Sequence, residues 1–170
     1  AGYSSTNFEV LGLLLLQQAN VDSIQEYDQL SFLKTSSRKI DRDFATELQS
    51  DGMVFPTSGT CKDHGVIDGF LVDGSSVADI SCVGGFTCGN VLGPSLPVAK
   101  LTRRLLRSGK DAILSDATLR LMLDLQKLPL GTVPGAEYGL GLMRMQNPFL
   151  SGGGAGYTGH NIGHGGETYG

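Results

Sequence analysis

Glycine is the feature that most restricts the architecture of this chain. It supplies 25 of the 170 residues, about twice the usual share, and much of it lies after residue 130. Glycine favours turns, loops and close backbone approaches over long helices and strands. Because 40% of the residues are hydrophobic and 18% are charged, the sequence is still that of a globular protein and not of a disordered or fibrous one. Its length allows one domain with a modest core.

The charge and hydropathy patterns exclude two classes of partner. Thirteen basic and 17 acidic residues give a net charge of −4, which offers no electrostatic footprint for nucleic acid. The longest apolar run covers residues 10–16, far below the roughly 20 residues that cross a bilayer. We therefore expect neither a nucleic-acid partner nor a membrane span in this chain.

Hydrophobic periodicity predicts helices in the first two thirds of the chain. A mostly buried helix is expected over residues 6–18 and an amphipathic helix over residues 23–33. Residues 34–93 lack clear periodicity and are expected to be irregular. A further helix should begin near Pro94, with its leucines on one face and its arginines on the other, and Ser115 should cap another over residues 116–127.

Strand signals occur only near the end of the sequence. Tyr138, Leu140 and Leu142 alternate with residues on the opposite face, which predicts a strand, and a glycine-rich stretch leads to a second one over residues 161–169. Helices first and strands last are typical of the α+β class, here as one domain.

Three cysteines leave the disulfide pattern open. Cys82 and Cys88 could close a small loop through Gly84 and Gly85, which would leave Cys61 free or paired outside the chain. Three reduced thiols are the alternative. A disulfide would favour an oxidising location, extracytoplasmic or secreted.

Two short patterns suggest ligand sites that their context does not support. Residues 154–159 match the glycine spacing of phosphate-binding loops, but no helical pattern follows them. His160 and His164 have the spacing of a zinc pair, which His64, Glu167 or a thiol would have to complete. The neighbouring glycines disfavour a helix there, so we predict no metal and no cofactor.

Two serine–lysine tetrads match the spacing that places a nucleophile and a base one helical turn apart. They are Ser31 with Lys34, and Ser36 with Lys39. A four-residue match arises easily by chance, and both tetrads lie in a polar stretch and not at the start of an apolar helix. We interpret both as solvated surface.

Five segments in chain order carry a resemblance to a known family. They are Tyr3-Ser-Ser-Thr-Asn-Phe-Glu-Val-Leu-Gly12, residues 90–109, residues 113–122, Tyr138-Gly-Leu-Gly-Leu142, and Gly163-His-Gly-Gly-Glu-Thr-Tyr-Gly170. Together they resemble the serine β-lactamase-like and penicillin-binding hydrolases. The last segment is similar to the His-x-Gly element of the D-alanyl-D-alanine carboxypeptidase, class C-like and esterase branches.

The resemblance implies a fold and a set of site residues. The fold would be of the β-lactamase/transpeptidase α/β sandwich type, with a helical lobe over about residues 1–135 and one or two edge strands of an incomplete antiparallel sheet over about 136–170. Tyr3 would be the general acid–base group and His164 a donor beside it. The remaining implied contacts to substrate are Ser5, Gly165, Gly166 and, through its backbone N–H in the oxyanion hole, Glu167.

The same resemblance implies that the nucleophile is missing. In the family a Ser-x-x-Lys motif precedes the tyrosine motif by many tens of residues, and further strands follow the His-x-Gly element. We therefore expect a fragment of a serine hydrolase acting on a peptide, β-lactam or ester, inactive alone and completed by further N- and C-terminal segments of the same protein.

Two other classes of function stay open at this stage. One is a non-catalytic homologue whose cleft binds a ligand or another protein. The other is a small metal- or redox-dependent protein built on His160, His164 and the cysteines.

Overall fold

The computed structural model describes residues 5–65, 76, 79, 81–82, 91–127, 136–146 and 160–163. These residues divide into two units, one within residues 2–107 and the other within residues 108–168. The described part of the first unit carries four α-helices, and that of the second carries one α-helix followed by four strands. The architecture is mixed α+β with helices first, which confirms the class expected from the sequence.

Helix α1 spans Ser5–Ala19 and confirms the helix predicted over residues 6–18. The prediction that this helix is mostly buried is wrong. Gly12 and Leu16 are buried, but the five other aliphatic side chains between residues 10 and 15 are each 42–57% exposed. A helix that is apolar all round needs cover on every side, and the described residues cover only one narrow stripe of it.

The predicted helix over residues 23–33 is broken into two short pieces. A 3-10 turn covers Ile24–Glu26, and helix α2 covers Ser31–Lys34. Tyr27 between them has extended backbone, and the Asp28 carboxylate accepts a hydrogen bond from the Leu30 backbone N–H at 2.9 Å. Such a local side-chain bond competes with helical hydrogen bonding, which explains the interruption.

Helix α3 spans Lys39–Ser50, within the stretch predicted to be irregular, so that prediction is wrong here. Its buried apolar side chains, Phe44, Ala45 and Leu48, share one helical face. This face packs beside α2, whose Leu33 is 1% exposed. The core of the first unit therefore lies between α2 and α3.

Helix α4 spans Ser95–Leu105 and confirms the helix predicted to begin near Pro94. Its orientation differs from the prediction, because Arg104 is buried and Leu96 is 61% exposed. Lys100 of α4 donates hydrogen bonds to Glu47 at 2.6 Å and to Asp51 at 2.8 Å. Both carboxylates raise the pKa of Lys100, with Asp51 as the larger influence.

A disulfide joins Cys61 to Cys82, with their Cα atoms 4.9 Å apart. The predicted bond between Cys82 and Cys88 is therefore corrected, and Cys88 lies outside the described residues. An antiparallel bridge between Thr60 and Ser81 aligns the two chain segments, which brings the neighbouring sulfur atoms together.

Helix α5 spans Asp116–Met122 in the second unit. The predicted cap is confirmed, since the Ser115 hydroxyl accepts a hydrogen bond from the Thr118 backbone N–H at 3.1 Å. The predicted extent of this helix to residue 127 is wrong, because strand β1 already occupies Gln126–Lys127.

The four strands form one antiparallel sheet in the order β1-β2-β3-β4. Strand β2 spans Glu137–Tyr138, β3 spans Met143–Gln146, and β4 spans His160–Gly163. The single strand predicted through Tyr138 and Leu142 is thus a hairpin. Strand β4 confirms the start of the second predicted strand, and residues 164–169 lie outside the described part. The sheet has more strands than the one or two expected.

Candidate functional site

The Tyr-Gly-Leu-Gly segment forms the turn between β2 and β3. Tyr138 ends β2, and the Gly139 N–H donates to the Leu142 carbonyl oxygen at 2.8 Å to close the turn. Gly141 has φ of 75°, a left-handed conformation that favours glycine over any residue with a side chain. The glycine at this position of the motif is therefore required by the turn.

Gly139 is required for a different reason, which is close approach to α5. A Cβ atom built at residue 139 would lie 2.1 Å from the carbonyl oxygen of Met122, the last residue of α5. The next N–H, that of Leu140, donates to the same oxygen at 3.3 Å. The turn therefore satisfies an end carbonyl of the helix and fixes the hairpin against it.

Strand β4 leads directly to the predicted His-Gly-Gly element. In the antiparallel pairing of β3 with β4, Met143 lies opposite Gly163, and Gln146 lies opposite His160. Gly163 is the residue before His164, and Met143 follows Gly141, the last residue of the Tyr-Gly-Leu-Gly motif, by two residues. The pairing thus places Gly163, the first residue of the second motif, opposite the strand residue that begins β3 just after the Tyr-Gly-Leu-Gly turn.

Most of the predicted site residues lie outside the part of the chain that the structure describes. Tyr3, His164, Gly165, Gly166 and Glu167 lie outside the described residues. Ser5 is the first residue of α1, and only its backbone is described. The roles assigned to these residues therefore remain predictions.

Neither serine–lysine tetrad forms a nucleophile–base pair among the described contacts. The Lys34 ammonium donates to Asp28 at 2.6 Å, and the Lys39 ammonium donates to Asp43 at 2.6 Å. The Ser36 hydroxyl donates to the Asp41 carboxylate at 2.7 Å. A serine is activated by a base that accepts its proton, and both lysines are instead held by carboxylates.

The histidines that are described do not take part in a metal cluster. His160 is exposed at the start of β4, and His64 Nε2 lies 2.8 Å from the Ser58 carbonyl oxygen. Among the described residues, no group of three or more His, Cys, Asp or Glu side chains could hold a metal ion.

A cavity of about 400 Å³ lies in the first unit, beside the interrupted helix. Leu30 and Met53 in its lining are almost fully buried. Its remaining lining residues are Gln25, Glu26, Tyr27, Asp28, Gln29, Gln49, Val54, Phe55 and Thr57. Its volume lies within the range of small-molecule sites. No sequence pattern indicates this cavity, because its walls come from three separate segments without a shared motif.

Asp41 is the most enclosed charged group among the described side chains, at 4% exposure. Arg38 donates two hydrogen bonds to it, Ser36 donates a third, and Arg104 donates a fourth at 3.0 Å from α4. The Arg38 hydrogen bonds are the largest cause that holds the pKa of Asp41 below its usual value, with burial opposing them. The Arg104 guanidinium also lies over the Phe44 ring, 4.1 Å from its centroid.

This buried cluster links α3 to α4 and is structural in character. The two guanidinium groups and the Ser36 hydroxyl already donate to both carboxylate oxygens, and the lowered pKa makes Asp41 a weaker base, so the group is suited to holding the helices together and not to general base catalysis. No local sequence pattern indicates this cluster, because Asp41 and Arg104 are 63 residues apart and the helical pattern of α4 places its arginines opposite its apolar face.

No described helix has the combination of length and apolar character that a bilayer-spanning segment needs. Comparisons of the chain with protein-family models, with curated proteins and with solved structures found no match.

Proposed function

We propose that this chain is part of a serine hydrolase of the β-lactamase-like type, which cleaves amide or ester bonds through an acyl-enzyme. The observation that supports the proposal is the pairing of β3 with β4, which aligns the Tyr-Gly-Leu-Gly turn with the strand that enters His164. The backbone requires glycine at both positions of that turn, at Gly141 because of its positive φ and at Gly139 because of its close approach to α5. The match to the motif is therefore not explained by the high glycine content alone. The Cys61–Cys82 disulfide supports a location outside the cytoplasm.

In this proposal the chain supplies acid–base and electrostatic groups. A serine oxygen attacks the carbonyl carbon of the substrate, and the Tyr3 phenolate takes the proton from that serine. Tyr3 then gives the proton to the leaving amine or alcohol, and water later cleaves the acyl ester. His164 donates a hydrogen bond beside the tyrosine oxygen, and the Glu167 N–H stabilises the negative charge on the carbonyl oxygen.

The nucleophile of this reaction is proposed to come from sequence outside these 170 residues. The contacts of Lys34 and Lys39 with carboxylates support this, because neither lysine is placed to activate the serine of its own tetrad. The chain alone should therefore neither turn over a chromogenic ester nor react with a fluorescent penicillin. A stable adduct on Ser31 or Ser36, located by peptide mass spectrometry, would contradict the proposal.

The positive test uses the longer protein that contains these 170 residues together with the flanking sequence in which the nucleophile is proposed to lie. We expect it to form a covalent adduct with the fluorescent penicillin or to hydrolyse the ester. The Tyr3→Phe variant should lower kcat by about 10² to 10⁴-fold, the usual range for loss of a general acid–base group. Tyr157→Phe, a tyrosine outside the five segments that carry the resemblance, is the matched control and should retain activity.

Two outcomes would overturn the proposal. Turnover that is unchanged by Tyr3→Phe would remove the assigned role of the tyrosine. Saturable binding of the penicillin without any adduct would instead favour the non-catalytic homologue, which binds a ligand and does not cleave it.

A further inference from the structure

The cavity beside the interrupted helix is formed by backbone contacts that need no ligand. Gly52, with φ of 85°, turns the chain just after α3, and the Met53 N–H donates to the Leu48 carbonyl oxygen at 2.9 Å. Val54 is then joined to Leu92 by two backbone hydrogen bonds, of 2.8 and 2.9 Å. The wall over residues 53–57 is therefore held in place beside the wall over residues 25–30, and the cavity is preformed.

The cavity has apolar and aromatic lining. Leu30 and Met53 are 2% and 3% exposed and are the most buried of its lining residues. Tyr27 and Phe55 are half-buried, and they bring one aromatic ring from each of two wall segments. These side chains offer apolar surface to the body of a ligand, and the tyrosine adds a hydroxyl.

Most of the polar lining groups are neutral. Three glutamines line the cavity, Gln25, Gln29 and Gln49, together with Thr57. An amide and a hydroxyl each donate and accept hydrogen bonds. Gln25 and Gln49 are exposed and Thr57 is half-buried, so a ligand in the cavity can reach them.

The charge of the lining is small and negative. Among the described residues that line the cavity there is no lysine, arginine or histidine, and the two carboxylates are Glu26 and Asp28. Asp28 already accepts the Leu30 N–H at 2.9 Å and the Lys34 ammonium at 2.6 Å, so a neighbouring cation offsets its charge. The lining therefore disfavours an anion, and its neutral donors and acceptors favour an uncharged ligand over a cation.

We propose that this cavity binds a neutral sugar, whose hydroxyl groups bond the glutamine amides and Thr57 and whose apolar ring face packs on Tyr27 or Phe55. A sugar hydroxyl both donates and accepts, which matches the amides, and the C–H groups of a pyranose ring suit an aromatic surface. The cavity volume of about 400 Å³ admits one ring and leaves room for a second. None of the lining residues belongs to the five segments that resemble the hydrolases, so this inference stands without the proposed function.

The first test is a titration of the 170-residue protein with neutral sugars, followed by NMR of the backbone amides. The probes are glucose, galactose, mannose and N-acetylglucosamine, each as the free monosaccharide. We expect saturable shifts for at least one of them, with a Kd in the millimolar range or tighter, confined to residues 25–30 and 49–57. The amides of β2 and β3 in the second unit should not move.

A charge series on the same unmodified protein tests why the ligand is neutral. The sugar that binds is compared with its amino-sugar and uronic-acid counterparts, which differ by one ammonium or one carboxylate. We expect the uronic acid to bind at least about tenfold more weakly, because it brings a second negative charge beside Glu26. The amino sugar should bind within a few-fold of the neutral sugar.

A pair of variants tests the amides. Gln25→Ala/Gln49→Ala should weaken sugar binding by about tenfold, the expected effect of losing two hydrogen bonds. The matched control, Gln17→Ala/Gln18→Ala, removes two exposed glutamines from α1 that do not line the cavity and should leave the Kd unchanged.

Four results would overturn the sugar site. Two are the absence of shifts for every neutral sugar up to about 100 mM, and shifts spread over both units without saturation. A third is an amino sugar that binds more than about tenfold tighter than the neutral sugar, which would make the cavity a cation site. The fourth is equal binding by the cavity variant and its α1 control.

Discussion

At the scale of single residues, Asp41 is the group on which stability should depend most. It is a buried carboxylate that accepts hydrogen bonds from Ser36, Arg38 and Arg104. Removing the carboxylate would leave the Arg104 guanidinium buried beside the Phe44 ring without its counter-charge. Breaking a buried ion pair from one side is costly for this reason.

We predict that Asp41→Asn lowers the free energy of unfolding at pH 7 by about 3 kcal/mol. The pKa of Asp41 is lowered in the folded protein, so its contribution is fully present above the unfolded pKa of about 3.9 and is lost as the pH falls through the folded pKa. Between pH 5 and 2 the wild-type protein should therefore lose stability more steeply than the variant in urea unfolding series.

Asp43→Asn is the control for this prediction. Asp43 pairs with Lys39 on the same helix, with 59% and 79% of the two side chains exposed, so its loss should cost less than about 0.5 kcal/mol. Parallel pH profiles for the wild type and Asp41→Asn would contradict the prediction.

Residue-scale chemistry was the part least accessible from the sequence. The helical pattern places the arginines of α4, Arg104 among them, on the face opposite its leucines, which predicts exposure because charged residues are rarely buried. That expectation fails where a buried counter-charge pairs with the arginine. The partner, Asp41, is far away in the chain, and no local pattern connects the two.

At the scale of elements, a helix end that depends on one capping side chain could be predicted from the sequence. A helix end that depends on a side chain competing with the helix for a backbone N–H could not. Ser115 begins α5 as expected, because the cap needs only one hydroxyl and one backbone N–H. The interruption at Asp28 arises because its carboxylate accepts a hydrogen bond from the Leu30 N–H, which is then not donated within a helix. Hydrophobic periodicity does not indicate such a bond. Helix α3 was missed although Phe44 and Leu48 have helical spacing, because charged residues surround that narrow stripe.

The hairpin next to α5 gives a prediction at this scale. Gly139→Ala should lower the free energy of unfolding by about 2–3 kcal/mol, because a Cβ there would lie 2.1 Å from the Met122 carbonyl oxygen and would force the turn off the helix. Thermal and urea unfolding would measure the loss.

Gly163→Ala is the matched control in strand β4. A Cβ at residue 163 would meet no atom within 4 Å, and alanine should be accepted with a change below about 0.5 kcal/mol. Equal losses for the two alanine variants would show that the close approach to α5 does not explain the glycine in the motif.

At the scale of the whole molecule, the α+β class could be predicted because helical patterns precede strand patterns along the sequence. The pairing of the cysteines could not be predicted from the sequence. Three cysteines allow three pairs, and spacing alone favoured the short loop to Cys88. The pairing with Cys61 is set by a bridge between Thr60 and Ser81, which belongs to the fold and not to a sequence pattern. The strands near the proposed site were predictable in position, whereas the roles of Tyr3 and His164 rest on motif order and stay predictions.

The disulfide should stabilise the first unit by restricting its unfolded chain. For a sequence separation of 21 residues, loop closure is worth about 3 kcal/mol, so Cys61→Ser/Cys82→Ser should lower the unfolding free energy by roughly that amount. Cys88→Ser is the control and should be neutral. A thiol-specific mass label that enters the native wild-type protein at Cys61 or Cys82 would contradict the pairing.

The same disulfide also determines how the protein responds to proteolytic cleavage. Residues 61–82 form a covalent ring with two tails, one leading back to α1 and the other onward to the sheet. The ring contains one site for trypsin, after Lys62, which lies on an exposed turn. A cut there adds one water to the mass and opens the ring, yet both tails stay joined until a reductant separates them. The polypeptide can therefore be severed in this protein while the molecule remains whole.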